Sequence, residues 1–174
     1  MDIPPATLTL LAATAALNAG HVAIHLANTL VWKRHQLPRY DAWVGYLGAL
    51  SWFLMVLVDR STLGWPSWLA APAGLLLTVP GLYVHGAGIR DIMRYGGDGA
   101  LVTRGIYARL RHPIYYGWVI VSIGMPLLAG SWWGLVTAPV WSGMILAVGV
   151  LEERDMGRRF PDGQYDSYTR STWF

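Results

Sequence analysis

The chain has 174 residues, of which 54% are hydrophobic and only 13% are charged. A soluble domain carries roughly 25% charged residues, so this composition excludes an ordinary soluble globular protein. Ten Trp and nine Tyr are typical of the aromatic belts at membrane interfaces. The chain has no Cys, which excludes a disulfide framework, a thiolate metal site and a cysteine nucleophile.

Five apolar stretches are close to the roughly 20 residues with which a helix crosses the hydrocarbon core. In chain order they are residues 5–32, 42–58, 68–89, 113–129 and 132–151. Between the last two, Gly130 and Ser131 leave room only for a tight hairpin. We therefore expect an all-α integral membrane protein with about five transmembrane helices.

Two hydrophilic stretches remain, at residues 90–112 and 152–174. We expect a single domain over residues 1–174, with three helices in residues 1–89 and the motif-bearing half in residues 90–174. The hydrophilic loop and an amphipathic helical tail at the C-terminus would together form the functional site.

The basic residues outside the spans follow a regular pattern. From the N-terminus to the tail, the six segments carry 0, 3, 1, 5, 0 and 4 Lys and Arg residues. Basic residues concentrate in cytoplasmic loops, so this alternation places the N-terminus outside and the C-terminus in the cytoplasm. The net charge of +3 thus reflects membrane topology, and no nucleic-acid partner is predicted.

The loop at residues 90–112 ends in a string of basic and aromatic residues around an Arg-His-Pro step. Pro113 suits the first turn of a helix, where its missing N–H costs nothing. Arg111 and His112 therefore lie at the membrane boundary beside a positive helix end, which favours a carboxylate or a phosphate. The alternative is an interfacial anchor of snorkelling arginines.

Two adjacent carboxylates, Glu152 and Glu153, follow the fifth span. They are costly at a membrane exit unless hydrated or paired, and we expect the helix to end there, where its dipole disfavours anions. A bound cation would offset both penalties, and pairing with Arg154 or Arg158 is the alternative. Together with Arg111 and His112, the pair predicts a site for a zwitterion.

A polar stripe runs along the first span. Asn18, His21, His25 and Asn28 are three or four residues apart, which places them on one helical face. Three interpretations remain open: hydrogen bonding across the bundle, a substrate tunnel lined by Asn18, His21 and His25, or a metal site with His85 as third ligand. No carboxylate is expected at matching depth, so no metal is assigned.

The motifs resemble those of the integral membrane methyltransferases, which include isoprenylcysteine carboxyl methyltransferases and phospholipid methyltransferases. The resemblance covers roughly the last 70 residues. It rests on Gly105, Tyr107, Arg111, His112, Pro113, Tyr115, Gly117, Glu152, Glu153, Phe160, Tyr165 and Tyr168.

The resemblance implies S-adenosylmethionine as cofactor and a lipophilic acceptor that enters from the bilayer. It implies catalytic roles for Arg111 and Glu153. The implied cofactor-binding residues are Tyr107, Arg111, His112, Pro113, Tyr115, Gly117, Glu152 and Glu153. Gly86 and Gly88 resemble a Gly-x-Gly that helps to hold the cofactor in phosphatidylethanolamine methyltransferases, although helix packing explains them better.

The chain departs from the isoprenylcysteine enzymes at Val148, where they carry an Arg one turn before the Glu pair. This difference argues against a prenylcysteine carboxylate as substrate. Two other interpretations stay open: a reductase of the sterol-reductase type that uses NADPH, and a non-catalytic membrane scaffold. The acceptor and the oligomeric state are not predicted.

Overall fold

The computed structural model describes residues 3–33, 39–59, 61–160 and 163–173. Arg34 and Arg60, which enter the charge pattern, lie outside the described residues. Within these ranges the chain is helical and forms no β-strand. The six α-helices are α1 (Pro5–Ala27), α2 (Arg39–Val58), α3 (Ser67–Tyr95), α4 (Pro113–Ala129), α5 (Trp132–Arg159) and α6 (Gln164–Ser171).

Four helices, α1 with its π-helical extension, α2, α3 and α5, are long and apolar enough to cross a membrane. The fifth apolar helix, α4, has 17 residues and is shorter. Large apolar side chains are exposed on the outside of the bundle, among them Val31, Leu76 and Tyr83. An exposed apolar surface of this extent is what a lipid-facing exterior requires. The all-α membrane fold is therefore confirmed, with a count of about five.

The predicted hairpin between α4 and α5 is confirmed. α4 begins at Pro113 and is followed by Gly130, whose φ of +69° is a left-handed conformation that glycine adopts without strain. Ser131 then caps α5, because its hydroxyl accepts a hydrogen bond from the Gly134 N–H at 3.0 Å. The two helices are therefore antiparallel neighbours, as the short connection requires.

Two helices extend beyond the predicted spans. α3 continues to Tyr95 rather than ending near residue 89, and α5 continues to Arg159 rather than ending near residue 151. Glu152 and Glu153 therefore lie within α5, and the prediction that they occupy a helix C-terminus is wrong. The apolar pattern marks where a helix leaves the bilayer, while the helix itself continues through polar residues that are good helix formers.

Close helix packing depends on small residues. A side chain at Gly74 of α3 would overlap the backbone of Leu128 in α4, and one at Gly124 of α4 would lie 2.6 Å from the Thr78 backbone nitrogen. On the other side of the bundle, a Cβ at Gly48 of α2 would lie 2.8 Å from the Asn18 side chain of α1. The glycines thus let the backbones approach and leave room for polar side chains between helices.

Both hydrophilic segments lie at the same end of the bundle. Arg159, at the end of α5, donates from Nη2 to the carbonyl of Gly99 at 2.8 Å. At the opposite end, the Leu63 N–H donates to the Gly130 carbonyl at 3.2 Å. The motif-bearing loop and the tail are therefore brought together by the antiparallel arrangement of α3, α4 and α5.

Candidate functional site

Asp91 of α3 holds the segment that leads into the Arg-His-Pro string. The Ile106 N–H donates to Asp91 Oδ2 at 2.8 Å, and Arg90 Nε donates to Oδ1 at 2.9 Å. Gly105 has a φ of +63°, and a side chain there would overlap the Asp91 carboxylate. Sequence reasoning missed Asp91, because only the folded loop brings it to Gly105. The anchor fixes the 3₁₀ turn at Gly105–Ala108 that leads to Arg111.

Arg111 and His112 converge on Glu153. Arg111 Nη1 donates to Glu153 Oε2 at 2.9 Å, and His112 Nε2 lies 2.9 Å from Oε1. The three side chains are 14%, 9% and 19% exposed, so the ion pairs are sheltered from solvent. His112 also occupies the N-cap position of α4. The Arg-His-Pro string and the Glu pair therefore lie side by side, as the sequence predicts.

The two glutamates have different surroundings. Glu153 contacts both Arg111 and His112, whereas Glu152 lines a cavity of about 440 Å³ and lies 3.9 Å from His112 Nδ1. Arg111, His112, Tyr107 and Tyr115 line the same cavity. The resemblance implies cofactor binding by both glutamates and a catalytic role for Glu153. Helix geometry separates them, because neighbouring residues on a helix point about 100° apart.

The C-terminal tail closes this end of the cavity with aromatic side chains. The Tyr168 hydroxyl of α6 donates to the carbonyl of Tyr107 at 2.8 Å, and the Trp173 N–H donates to the Arg109 carbonyl at 2.8 Å. Burial raises the pKa of the Tyr168 hydroxyl to about 12. Burial also raises the pKa of Tyr107, and the negative charge of Glu152 raises it further. Burial and Glu153 raise the pKa of Tyr165 in the same way. These phenols stay neutral at physiological pH and keep their O–H donors.

The same cavity continues between the helices. Asn18 and His21 of α1 line it, together with apolar and small residues of α2, α4 and α5, whereas His25 does not reach it. Asn28 instead donates from Nδ2 to Asp155 Oδ2 of α5 at 2.6 Å. Hydrogen bonding across the bundle is therefore present for Asn28. Asn18 and His21 occupy positions suited to a tunnel lining.

His21 and His25 approach Asp41 of α2. His21 Nδ1 lies 3.0 Å from Asp41 Oδ1, and His25 Nε2 lies 3.0 Å from Oδ2. The expectation that no carboxylate lies at their depth is wrong. α2 begins at Arg39, which brings Asp41 into the helix rather than the preceding loop. His85 lies elsewhere, with Nδ1 3.1 Å from the Ile114 carbonyl.

The other residues predicted to bind the cofactor pack against neighbouring helices or rings. Gly117 of α4 packs against the His85 backbone of α3, and a Cβ there would lie 2.6 Å from the backbone nitrogen. Gly88 faces Pro113, and a Cβ at Gly86 would meet open space. Tyr115 stacks on His112 at a ring-centroid distance of 5.6 Å. Tyr115 thus faces the cavity, while Pro113 and Gly117 act through the packing of α4 on α3.

Two comparisons with known proteins find relatives. Residues 73–163, more than half of the chain, match the family model described as phospholipid methyltransferase. A protein-S-isoprenylcysteine O-methyltransferase of Dictyostelium discoideum is 29% identical over 76 residues, which cover 44% of this chain and 32% of that protein. The chain thus spans about a third of the length of this curated relative. No solved structure gives a significant match.

Proposed function

The chain belongs to the phospholipid methyltransferase family, and we propose that it is an S-adenosylmethionine-dependent methyltransferase acting on a lipophilic acceptor held in the membrane. One observation carries the proposal. A single cavity is bordered at one end by Arg111, His112, Glu152 and aromatic side chains, and continues between apolar helices toward Asn18 and His21. A polar cofactor and an apolar acceptor would therefore meet in one cavity.

The lining of the polar end fits the cofactor that the family implies. Arg111 and His112, at the N-terminus of α4, supply donors for a carboxylate. Glu152 supplies a negative charge for an ammonium group or a sulfonium. Tyr107, Tyr165 and Tyr168 form an aromatic border against which a flat base can pack. We assign Glu153 a positioning role, because it holds Arg111 and His112 in place.

S-adenosylmethionine supplies an activated methyl group on a sulfonium, so the protein's main task is to position donor and acceptor. A bound cofactor and acceptor would displace water from the cavity, which would strengthen the attraction between Glu152 and a cationic ligand. When the acceptor carries a proton on its reacting atom, we propose that Glu152 or His112, both of which line the cavity, accepts this proton. When the acceptor is a carboxylate, no base is required and Arg111 can orient it.

The acceptor would enter from the bilayer between the helices. Val148, which is 1% exposed, lines the cavity one turn before Glu152. An aliphatic side chain there favours an acceptor whose anchoring group is not a carboxylate. The alternation of basic residues supports an orientation with the N-terminus outside and this site in the cytoplasm.

The test is thermal unfolding of the purified protein with S-adenosylmethionine, with its demethylated product, or with NADPH. A ligand at 100 times its dissociation constant adds about 2.7 kcal/mol of stability, which is visible as a shift of the melting temperature. We expect shifts with the first two ligands and none with NADPH. A shift with NADPH alone would contradict the methyltransferase proposal and indicate a reductase. No shift with any of the three ligands would contradict the proposed cofactor site.

A further inference from the structure

The structure brings together three metal-ligating side chains to which the proposed methyl transfer assigns no chemical role. The ligand atoms of His21, His25 and Asp41 all lie within 4.8 Å of one another. The histidines are four residues apart on α1, so both rings face the same neighbour, and Asp41 approaches them from the first turn of α2. His25 is 1% exposed and Asp41 is 6% exposed, so these two side chains are buried.

The contacts within this cluster lack the geometry of ordinary hydrogen bonds. Both imidazole–carboxylate separations are 3.0 Å. Nevertheless, in the part of the chain that the structure describes, His21 Nδ1, both ring nitrogens of His25 and Asp41 Oδ1 have no hydrogen-bond partner. Buried polar atoms are rarely left in this state. Short separations with poor angles arise when ligand atoms point toward a common position rather than at each other.

We propose that His21, His25 and Asp41 form a binding site for a divalent transition-metal ion, with Zn²⁺ as the expected occupant. Two imidazoles and one carboxylate are a favourable ligand set for this ion. In a tetrahedral zinc site, adjacent ligand atoms are about 3.3 Å apart, close to the two separations of 3.0 Å. Small rotations of the two imidazoles would close the remaining distance between them.

Three protein ligands leave one coordination position open, as in catalytic zinc sites. His21 and Asp41 line the cavity, so this position would face the space assigned to the acceptor. The ion would then hold a heteroatom of the acceptor, such as a thiol or a hydroxyl oxygen, where His21 and Asp41 line the cavity. This role rests on the proposed methyltransferase function, whereas metal binding itself does not.

The test uses protein purified in detergent through a histidine-free tag, because a polyhistidine tag would bind metal itself. We expect about one equivalent of zinc per chain by elemental analysis. After chelation and addition of Co²⁺ alone, we expect the visible ligand-field absorption of a tetrahedral site. Asp41→Asn and His25→Gln should each lose most of the bound metal. His85→Gln is the matched control, because His85 lies outside the cluster, and it should retain the metal.

Two results would overturn the proposal. The first is a wild-type protein with neither zinc nor a Co²⁺ spectrum, a measurement that does not depend on any variant folding. The second is unchanged zinc content in Asp41→Asn and His25→Gln, which would place the metal elsewhere. The melting-temperature shift with S-adenosylmethionine is measured on the same samples. An intact shift without metal would reject the metal site alone, and metal without a shift would reject the cofactor assignment alone.

Discussion

Glu153 of α5 accepts a hydrogen bond from Arg111, the second residue before α4, at 2.9 Å. Together with the contact from His112 at the same distance, this ion pair joins the two helices at the border of the cavity. Glu152, one residue earlier, faces the cavity instead. The two glutamates are therefore expected to respond differently to the same substitution.

Glu153→Gln should lower both protein stability and cofactor affinity. Removing the charge leaves Arg111 and His112 with a weaker partner, at a cost of about 1 to 3 kcal/mol. The Arg111 and His112 side chains would then lose their fixed positions, and we expect about 10- to 100-fold weaker binding of S-adenosylmethionine. Thermal unfolding and equilibrium binding measure the two effects.

Glu152→Gln should weaken binding while leaving the melting temperature of the ligand-free protein close to that of the wild type. Asp166→Asn, on the exposed face of α6, serves as the control and should change neither quantity. Equal loss of ligand-free stability in Glu152→Gln and Glu153→Gln would show that the glutamates do not have separate roles.

Gly105→Ala should disrupt the loop that precedes Arg111. Alanine is disfavoured at a φ of +63°, and its Cβ would overlap the Asp91 carboxylate. We expect a destabilisation of about 1 to 3 kcal/mol and a loss of cofactor affinity. Gly97→Ala is the matched control in the same loop, because a Cβ there meets no atom within 4 Å. Equal melting temperatures and affinities for the two variants would contradict this account of the loop.

Asp59 lies at the opposite end of the bundle. Its ionised carboxylate should contribute to the free energy of unfolding, and this contribution should be lost at acid pH. Burial raises the pKa of the Asp59 carboxyl, but hydrogen bonds from Ser61, Ser131 and the Trp133 N–H outweigh burial and hold the pKa below its ordinary value of 3.8. A carboxyl with a lowered pKa stabilises the folded state above its unfolded pKa and loses that contribution as pH falls through the folded pKa.

The corresponding variant is Asp59→Asn. It should be about 1 to 3 kcal/mol less stable than the wild type at neutral pH, and the difference should shrink as pH falls below about 3.8. Thermal unfolding of both proteins across pH measures this difference, because other carboxyls titrate alike in the two. A constant difference from neutral pH to pH 2 would exclude the ionised carboxylate as its source.

The absence of Cys from the sequence makes membrane orientation directly testable. Gly157→Cys places an exposed thiol at the end of the bundle that holds the candidate site, and Thr62→Cys places one at the opposite end. A membrane-impermeant maleimide should label Thr62→Cys in intact cells and Gly157→Cys only after permeabilisation. The reverse pattern would mean that the site faces outside.

Local signals in the sequence suffice to predict the bounds of some of these helices. The bounds of α4 follow from Pro113 at its start and from Gly130 after its end, both of which act within one turn. The ends of α3 and α5 do not follow from the apolar pattern, because hydropathy reports immersion in lipid rather than helix length. The apolar pattern therefore predicts a helix end at the Glu pair, whereas α5 ends at Arg159.

The parts of the site that join different helices are harder to predict. The stripe of Asn18, His21 and His25 is visible from its spacing on one helix. Asp41 could not be assigned to it, because an acidic residue ahead of an apolar run equally indicates a loop or the first helical turn. Asp91 gives no signal either, since its role depends on the distant Gly105.

The most direct measurement of the central claim is methyl transfer itself. Membranes containing the protein are incubated with S-adenosylmethionine that carries a radiolabelled methyl group and with lipids extracted from the native organism. We predict that label appears in the organic phase with the wild type and with the exposed-surface variant Arg154→Gln, and is lost in Arg111→Gln. No label above that of membranes lacking the protein, or equal label in Arg111→Gln and the wild type, would contradict the account.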